Sequence, residues 1–193
     1  MSKREAIIQS AIQLFQEKGI EHTKISDIVK RANIAQGTFY LYFPSKLDLM
    51  PAIAEVMVKI LMKHIKAKVS ASQPFDQQLI NIIDSIFSVN KKYQEIHAMI
   101  YTGLAATEHL KEWETVYAPC YELISDILTN AQEKGVINLS IKPERMAKLL
   151  IGLVESAAEQ VYLYNHSDLD EIEHQRQAVV QFVFSALGVK QIS

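Results

Sequence analysis

The chain has 193 residues, 49% of them hydrophobic, a single cysteine and a formal net charge of −2. That length can bury a sizeable core and hold one small and one larger domain, and the lone Cys120 excludes an intrachain disulfide and fits a reducing compartment. No run approaches the roughly twenty uninterrupted apolar residues of a spanning helix, and the start reads as a charged amphipathic helix rather than a signal peptide, so a soluble cytoplasmic protein is expected.

Charge is unevenly placed. Residues 1–70 carry eleven Lys and Arg against six Asp and Glu, and residues 71–193 carry nine against sixteen. A basic end can hold a polyanion while an acidic end keeps the rest of the chain away from it, although ordinary solvated charge gives the same split.

In chain order, every element reads as helix, with no repeat, low-complexity stretch or convincing strand. The first helix, from about Lys3 to Lys18, gathers Ile7, Ile8, Ala11, Ile12, Leu14 and Phe15 on an apolar stripe and ends at Gly19, a left-handed cap. The second runs from about Ile25 to Ala32, with Thr23 as its cap and Ile25, Ile28 and Val29 on one face. Asn33, which tolerates left-handed backbone, turns the chain, and Ile34 plugs the angle. The third, from about Gln36 to Phe43, buries Phe39 and turns Gln36, Gly37, Thr38, Tyr40 and Tyr42 outward. Together these two short helices read as a helix-turn-helix.

The exposed set suits DNA. Gln36 presents an amide to a base edge, Thr38 a hydroxyl and a methyl, and the tyrosine hydroxyls reach phosphate oxygens. Gly37 allows close approach to the duplex. Pro44 stops the helix, Ser45 caps the next, and Lys46 in its first turn is placed for a phosphate. A helical hairpin buried in a core is the alternative reading, but packing alone gives no reason for two outward tyrosines ahead of a Pro-Ser-Lys.

Gly19, Thr23, Ile28, Ala32 and the run Gln36 to Lys46 resemble the DNA-binding domain of the TetR family of bacterial repressors, over roughly residues 4–50. The resemblance implies an all-α protein of about nine helices: a helix-turn-helix DNA-binding domain over 1–46, then a helical ligand-binding and dimerisation domain over 47–193. It implies a homodimeric regulator, most often a repressor released from a palindromic operator by a small molecule. The DNA-contact set expected is Thr23, Lys24, Gln36, Gly37, Thr38, Tyr40, Tyr42 and Lys46. Three positions depart from the family's pattern: Lys24 stands where a second threonine is common, Asn33 where glycine is usual, and Ala35 where serine often caps the recognition helix.

Beyond the motif, a fourth helix should run from about Ser45 past Ile60, with Pro51 early and Lys59, Lys63, Lys66 and Lys68 making its second half basic. Ser72-Gln73-Pro74 opens a helix from about Phe75 to Tyr93; a shorter one follows around Ile96 to Leu104, and Gly103 and Thr107 lead to a long one from roughly Leu110 to Lys134, interrupted or bent near Pro119 and closed by Gly135. Lys142-Pro143-Glu144 opens the next, apolar nearly all round from Met146 to Tyr164, and the last spans Leu169 to Leu187 before Gly188. Helices apolar on all sides must be covered on all sides, which predicts a dimer: Gly152, Ser156, Ala157 and Ala158 permit close approach, while Leu153, Val161, Phe182, Val183 and Phe184 supply an apolar seam. Buried monomer core is the alternative.

Met57, Leu61, His64, His97, Met99, Tyr101, Trp113, Tyr117, Cys120 and Tyr121 form an aromatic and methionine-rich set suited either to plain core packing or to an adaptable pocket for an apolar or amphipathic ligand. Glu155 and Glu159, one turn apart in an apolar helix, must be paired, neutral, solvent-facing or facing a cation. The six histidines and Cys120 have no zinc-ligand spacing, and no phosphate-cradling loop or nucleophile elbow occurs, so no cofactor, metal or enzymatic activity is expected. Two other readings stay open: a regulator without a small-molecule ligand, and a helical enzyme or carrier with an incidental helix-turn-helix corner.

Overall fold

The computed structural model describes residues 1–105, 113–164 and 168–189, without the side chains of 101–105 and 113. Among the described residues it has nine α-helices and no strand: α1 (Lys3–Lys18), α2 (Ile25–Arg31), α3 (Gln36–Tyr40), α4 (Met50–Lys68), α5 (Phe75–Lys92), α6 (Gln94–Ala105), α7 (Trp113–Glu133), α8 (Pro143–Glu159) and α9 (Leu169–Leu187). A 3₁₀ turn, Leu47–Leu49, precedes α4, and one wider π turn, Gln160–Tyr164, follows α8. The chain divides into two compact units, Met1–Met57 with Glu95–Val116, and Val58–Gln94 with Tyr117–Ser193, so the division falls inside α4.

In the first unit, α1 begins with a reciprocal cap: the Glu5 amide donates to Ser2 Oγ at 3.2 Å, and the Ser2 amide donates to the Glu5 carboxylate at 2.7 Å. Its end differs from expectation. Gly19 has φ 79° and ψ 160°, so the chain leaves the helix along a positive-φ extended path rather than through a left-handed cap. Thr23 is not the cap of α2 either; the Lys24 amide donates to Asp27 Oδ2 at 3.0 Å, closing that end from inside the helix. Asn33 takes φ 53°, the left-handed turn that the motif requires of it. α3 is shorter than its sequence pattern, because after Tyr40 the backbone tightens into a turn in which the Tyr42 and Phe43 amides both donate to the Phe39 carbonyl at 2.9 Å. Ile7, Phe15, Ile28, Phe39 and Leu49 are fully buried and form the core of this unit.

In the second unit, α5, α8 and α9 pack against one another, and Arg176 of α9 ties Glu173 at 2.6 Å and Asp84 of α5 at 3.0 Å. Glu173 is held down to about 2, first by the hydrogen bond from Arg176 and then by that from Gln177. Pro51 is the second residue of α4, where a missing amide costs nothing, and α7 continues through Pro119. The predicted start of α7 at Leu110 and the link at Thr107 lie outside the described residues. Gly135 and Gly188, at φ 69° and 67°, close α7 and α9.

Candidate functional site

The helix-turn-helix presents a small, largely uncharged surface. Phe39 is fully buried and anchors α3, with the Tyr40 ring edge-on to it at 5.5 Å. Tyr40, Leu41 and Tyr42 remain 49%, 82% and 43% exposed, and Lys24, Gln36 and Gly37 are exposed while Thr38 is half-buried. Nothing lies within 4 Å of where a Cβ would stand on Gly37, so the protein itself sets no demand for glycine there. Ala35 at the start of α3 makes no side-chain cap, which leaves amides of the first turn for an outside acceptor.

Two residues expected at the DNA surface are turned inward. Thr23 is 1% exposed; its hydroxyl donates to the Gly19 carbonyl at 2.7 Å and its amide to Ile20 O at 3.2 Å. A buried hydroxyl left without a partner would cost about 1–3 kcal/mol, so the contact holds it in the turn and away from phosphate. Lys46 is half-buried, and its ammonium donates to the Ile20 carbonyl at 2.6 Å and the Thr23 carbonyl at 3.0 Å. It clasps the α1–α2 turn against the end of the motif, leaving one N–H for a phosphate. Sequence reasoning also missed Arg4, whose guanidinium lies 5.6 Å from the Phe43 ring centroid while its side chain stays exposed beside the motif. No sequence pattern announces that long-range contact.

Two ion pairs brace α1 against α2. Lys18 Nζ meets Asp27 Oδ2 at 2.6 Å, and Arg31 grips the Glu17 carboxylate with both terminal nitrogens at 2.7 Å. Arg31 holds Glu17 below the ordinary carboxylate range, and Lys18 does the same to Asp27. These cations serve the fold, so the free basic residues of the motif's outer face are fewer than the sequence count suggests.

The expected dimer residues separate into two sets. Ala157, Val161, Val183 and Phe184 are buried at 5%, 3%, 2% and 5% exposure within the single chain, which corrects their assignment to an intersubunit seam. Packing against α5 and α8 decides it: Val179, Val183, Phe184 and Leu187 turn inward on α9, and Phe182, on the other side of the helix, points outward at 61% exposure. Gly152 and Ser156 are exposed, with Leu153 half-buried, and Leu149 is 58% exposed on the same face of α8. Ala178, Ser185 and Ala186 flank Phe182 on the outer side of α9.

The expected ligand residues fall in both units. In the first, Met57 is buried, and His97 is 6% exposed with no hydrogen-bond partner on Nε2; burial pulls its imidazole down to about 4, so it is neutral. Tyr101 and Trp113 have side chains outside the described residues. In the second, Leu61 and Tyr117 are buried, while His64 and Tyr121 are half-buried. The Tyr117 hydroxyl donates to Glu155 Oε1 at 2.6 Å. Burial, reinforced by the charge of Glu159 and opposed by that hydrogen bond, pushes Glu155 up to about 8, making it a neutral acid at pH 7. Glu159 is equally buried, so neither glutamate belongs to a solvent-facing strip. Cys120 is buried and pushed up to about 12, chiefly by burial, which makes it unreactive.

Two spaces in the second unit are lined by none of these residues, and sequence reasoning did not find them. A wholly aliphatic seam between α5, α7, α8 and α9, bounded by Leu79, Ile83, Ile124, Ile151, Val154 and Val183, retains only about 20 Å³, room for one water. An open cleft of about 260 Å³ lies between the C-terminal end of α4, the start of α5 and the middle of α7. Repeated i, i+4 apolar pairs, Ile65/Val69 and Leu123/Ile127, were the available sign of a face left partly uncovered.

A short helix held by a buried aromatic, its outer surface free and its turn clasped from within, defines a helix-turn-helix DNA-binding protein. A family model for bacterial regulatory proteins of the tetR family matches residues 7–53, and one for the tetracyclin repressor-like C-terminal domain matches residues 79–187. The chain belongs to the TetR family and is a DNA-binding transcriptional regulator, not an enzyme. YvdT of Bacillus subtilis (strain 168), described as an uncharacterized HTH-type transcriptional regulator, is 36% identical over 186 residues, covering 96% of this chain and 95% of that protein. The fold is that of Thermus thermophilus FadR, a TetR-family repressor solved with lauroyl-CoA, at TM-score 0.76 and 19% identity, covering 98% of this chain and 97% of that one. FadR from Bacillus subtilis, solved with stearoyl-CoA, superposes with TM-score 0.74 at 17% identity over 94% of this chain and 98% of that one. Among the described residues no helix is long and apolar enough to cross a membrane.

Proposed function

We propose that the protein acts as a homodimer that binds a palindromic operator and represses the adjacent genes until an amphipathic ligand with an aliphatic chain releases it. The observation that carries this reading is the exposed patch of Tyr40, Leu41 and Tyr42 at the end of an anchored α3 and in the turn after it, beside Gln36 and Gly37. Adjacent exposed large side chains on a helix anchored in the core suit a binding surface, and their mix of hydroxyls, amide and aliphatic carbon matches phosphates, base edges and thymine methyls. One α3 spans only a few base pairs; two related by a two-fold axis read a palindrome. Small outward residues on α8 and α9, Gly152, Ser156, Ala178 and Ala186 around Phe182, are suited to pairing those helices across the axis into a four-helix bundle.

Support for a chain-bearing ligand comes from the aliphatic seam of the second unit and from the lauroyl-CoA and stearoyl-CoA bound by the two FadR proteins of the same fold. The near-closure of that seam favours a second reading, a regulator without an effector, because its own side chains already fill it. In the first reading the ligand opens the seam and is favoured by a form whose recognition helices no longer match the operator, and its effect is bounded by its differential affinity for the two forms.

The test is selection of genomic fragments by the purified protein near physiological salt, followed by footprinting with and without lauroyl-CoA. Protection of a short palindrome, abolished jointly by Gln36→Ala and Tyr42→Phe and relieved by the acyl thioester, is the expected result. Enrichment of no sequence overturns the operator reading; protection indifferent to acyl chains of every length favours the regulator without effector.

A further inference from the structure

The preformed cleft and the closed aliphatic seam lie side by side on the same helices. Gln78 lines the cleft and Leu79 the seam on α5; Leu123 lines the cleft and Ile124 the seam on α7. Neighbouring positions on a helix face directions about 100° apart, so the two spaces share the same turns of α5 and α7. The cleft has an apolar floor, with Ile65 1% exposed beneath it, and a polar rim of Lys66, Gln78, Asp126 and Asn130. Its edge is fixed: Gln78 Nε2 donates to the Gln73 carbonyl at 2.8 Å, Asn81 Nδ2 to the Lys68 carbonyl at 2.9 Å, and the Ser70 amide to Gln73 Oε1 at 2.9 Å. The turn beside Ala71 is therefore pinned in place before anything binds.

Charge selects the occupant. Lys59, Lys63 and Lys66 are exposed and recur at i, i+4 and i+7 on α4, giving a cationic strip that ends at the cleft. Asp126 on the opposite rim repels an anion, which confines a negative head group to the α4 side. We infer that this cleft is the entry and head-group site for a soluble amphiphile with one aliphatic chain and an anionic, phosphate-bearing head. The head rests on the lysine strip, and the chain passes between α5 and α7 into the seam. The cleft is open and the seam nearly shut, so docking at the cleft precedes opening of the core. This inference rests on the chain-bearing ligand proposed above and adds where that ligand enters and what holds its head.

Calorimetric titration of the full-length protein with lauroyl-CoA, and with coenzyme A as the head alone, tests it. Ala71 is exposed, so Ala71→Trp plugs the cleft without touching the core; Asn130→Trp does so from α7. Each is expected to weaken lauroyl-CoA binding at least tenfold with an unchanged melting temperature. Lys66→Glu should weaken it several-fold and flatten its salt dependence, and coenzyme A alone should bind weakly with the same sensitivity to Lys66. Wild-type affinity in both tryptophan variants and in Lys66→Glu overturns the entry site while leaving the ligand reading standing. Failure of the wild-type protein to bind lauroyl-CoA overturns both.

Discussion

The recognition surface around α3 and the outer face of α8 and α9 are both uncovered, yet they are built from side chains of opposite size. Around α3 the exposed groups are large, Tyr40 at the end of a five-residue helix held by one buried phenylalanine and Leu41 and Tyr42 in the turn that follows. On α8 and α9 they include the small Gly152, Ser156, Ala178, Ser185 and Ala186, with Leu149 and Phe182 the large hydrophobic exceptions. Long side chains suit a partner with a groove, since they must reach base edges from outside. Small ones suit a partner that is another helix, since they let two axes come within about 8–10 Å. Under the proposed function, the size of the exposed groups is what separates the nucleic-acid surface from the helix-packing surface.

The sharpest way to break this contrast is at two positions of α9 that are two residues apart, Phe182 and Phe184. Phe184→Arg buries a charge in the chain's own core and should destabilise the fold by more than about 4 kcal/mol in denaturant unfolding. Phe182→Arg should keep its helical spectrum but halve the mass seen by sedimentation and lose tight operator binding; an unchanged mass would place the subunit contact elsewhere. Next in size is Lys46→Ala. Losing a cation that grips two carbonyls should cost about 2 kcal/mol of stability as well as operator affinity, and a melting temperature equal to wild type would show that its internal clasp is dispensable.

Smaller effects belong to the recognition surface itself. Gln36→Ala should cut discrimination between matched and mismatched operators by about 1–3 kcal/mol, with a far smaller change in non-specific affinity. Tyr42→Phe should weaken all sites about equally, by roughly 1 kcal/mol, at constant stability. Equal loss at matched and mismatched sites in Gln36→Ala would remove its base-reading role. The last effect is a slope rather than a step. Glu155 is raised in the fold to about 8 from an ordinary 4.5, so the folded state binds more protons than the unfolded one and stability falls as pH rises between those values. Glu155→Gln should match wild type near pH 5 and exceed it near pH 8.5; parallel stability curves would mean that Glu155 is ionised throughout.

Much of the molecule was legible without coordinates because the rules involved act over one or two turns. The limits of α1 and α9, the left-handed Asn33, the burial of Phe39 and the exposure of Tyr40 and Tyr42 all follow from neighbours within about four residues. The exposed face of the motif was read in this way, and the family came from the resemblance of Gln36 to Lys46 and its flanking residues to a known DNA-binding domain. The sequence-level reading failed where an answer depended on a partner far along the chain. Thr23 looked like a cap until its hydroxyl bonded back to Gly19, and Lys46 looked free for phosphate until the α1–α2 turn arrived beneath it.

For α8 and α9 the apolar pattern ran nearly all round the helix, and periodicity cannot divide such a surface between the chain's own core and another molecule. Only the packing of α5 against both helices decided that Val183 and Phe184 turn inward and Phe182 outward. The same holds for Glu155: its position in an apolar helix posed the question of its charge, and burial beside the Tyr117 hydroxyl answered it. By itself, then, the sequence determined the helices and the recognition motif, through local hydrogen bonds and side-chain period, and the class of protein, through the resemblance of that motif to a known family. Tertiary structure alone decided which face of each helix is spent on the core, which polar groups lose water, and where a cleft remains, because burial is a property of what comes to lie opposite a residue and not of the residue itself.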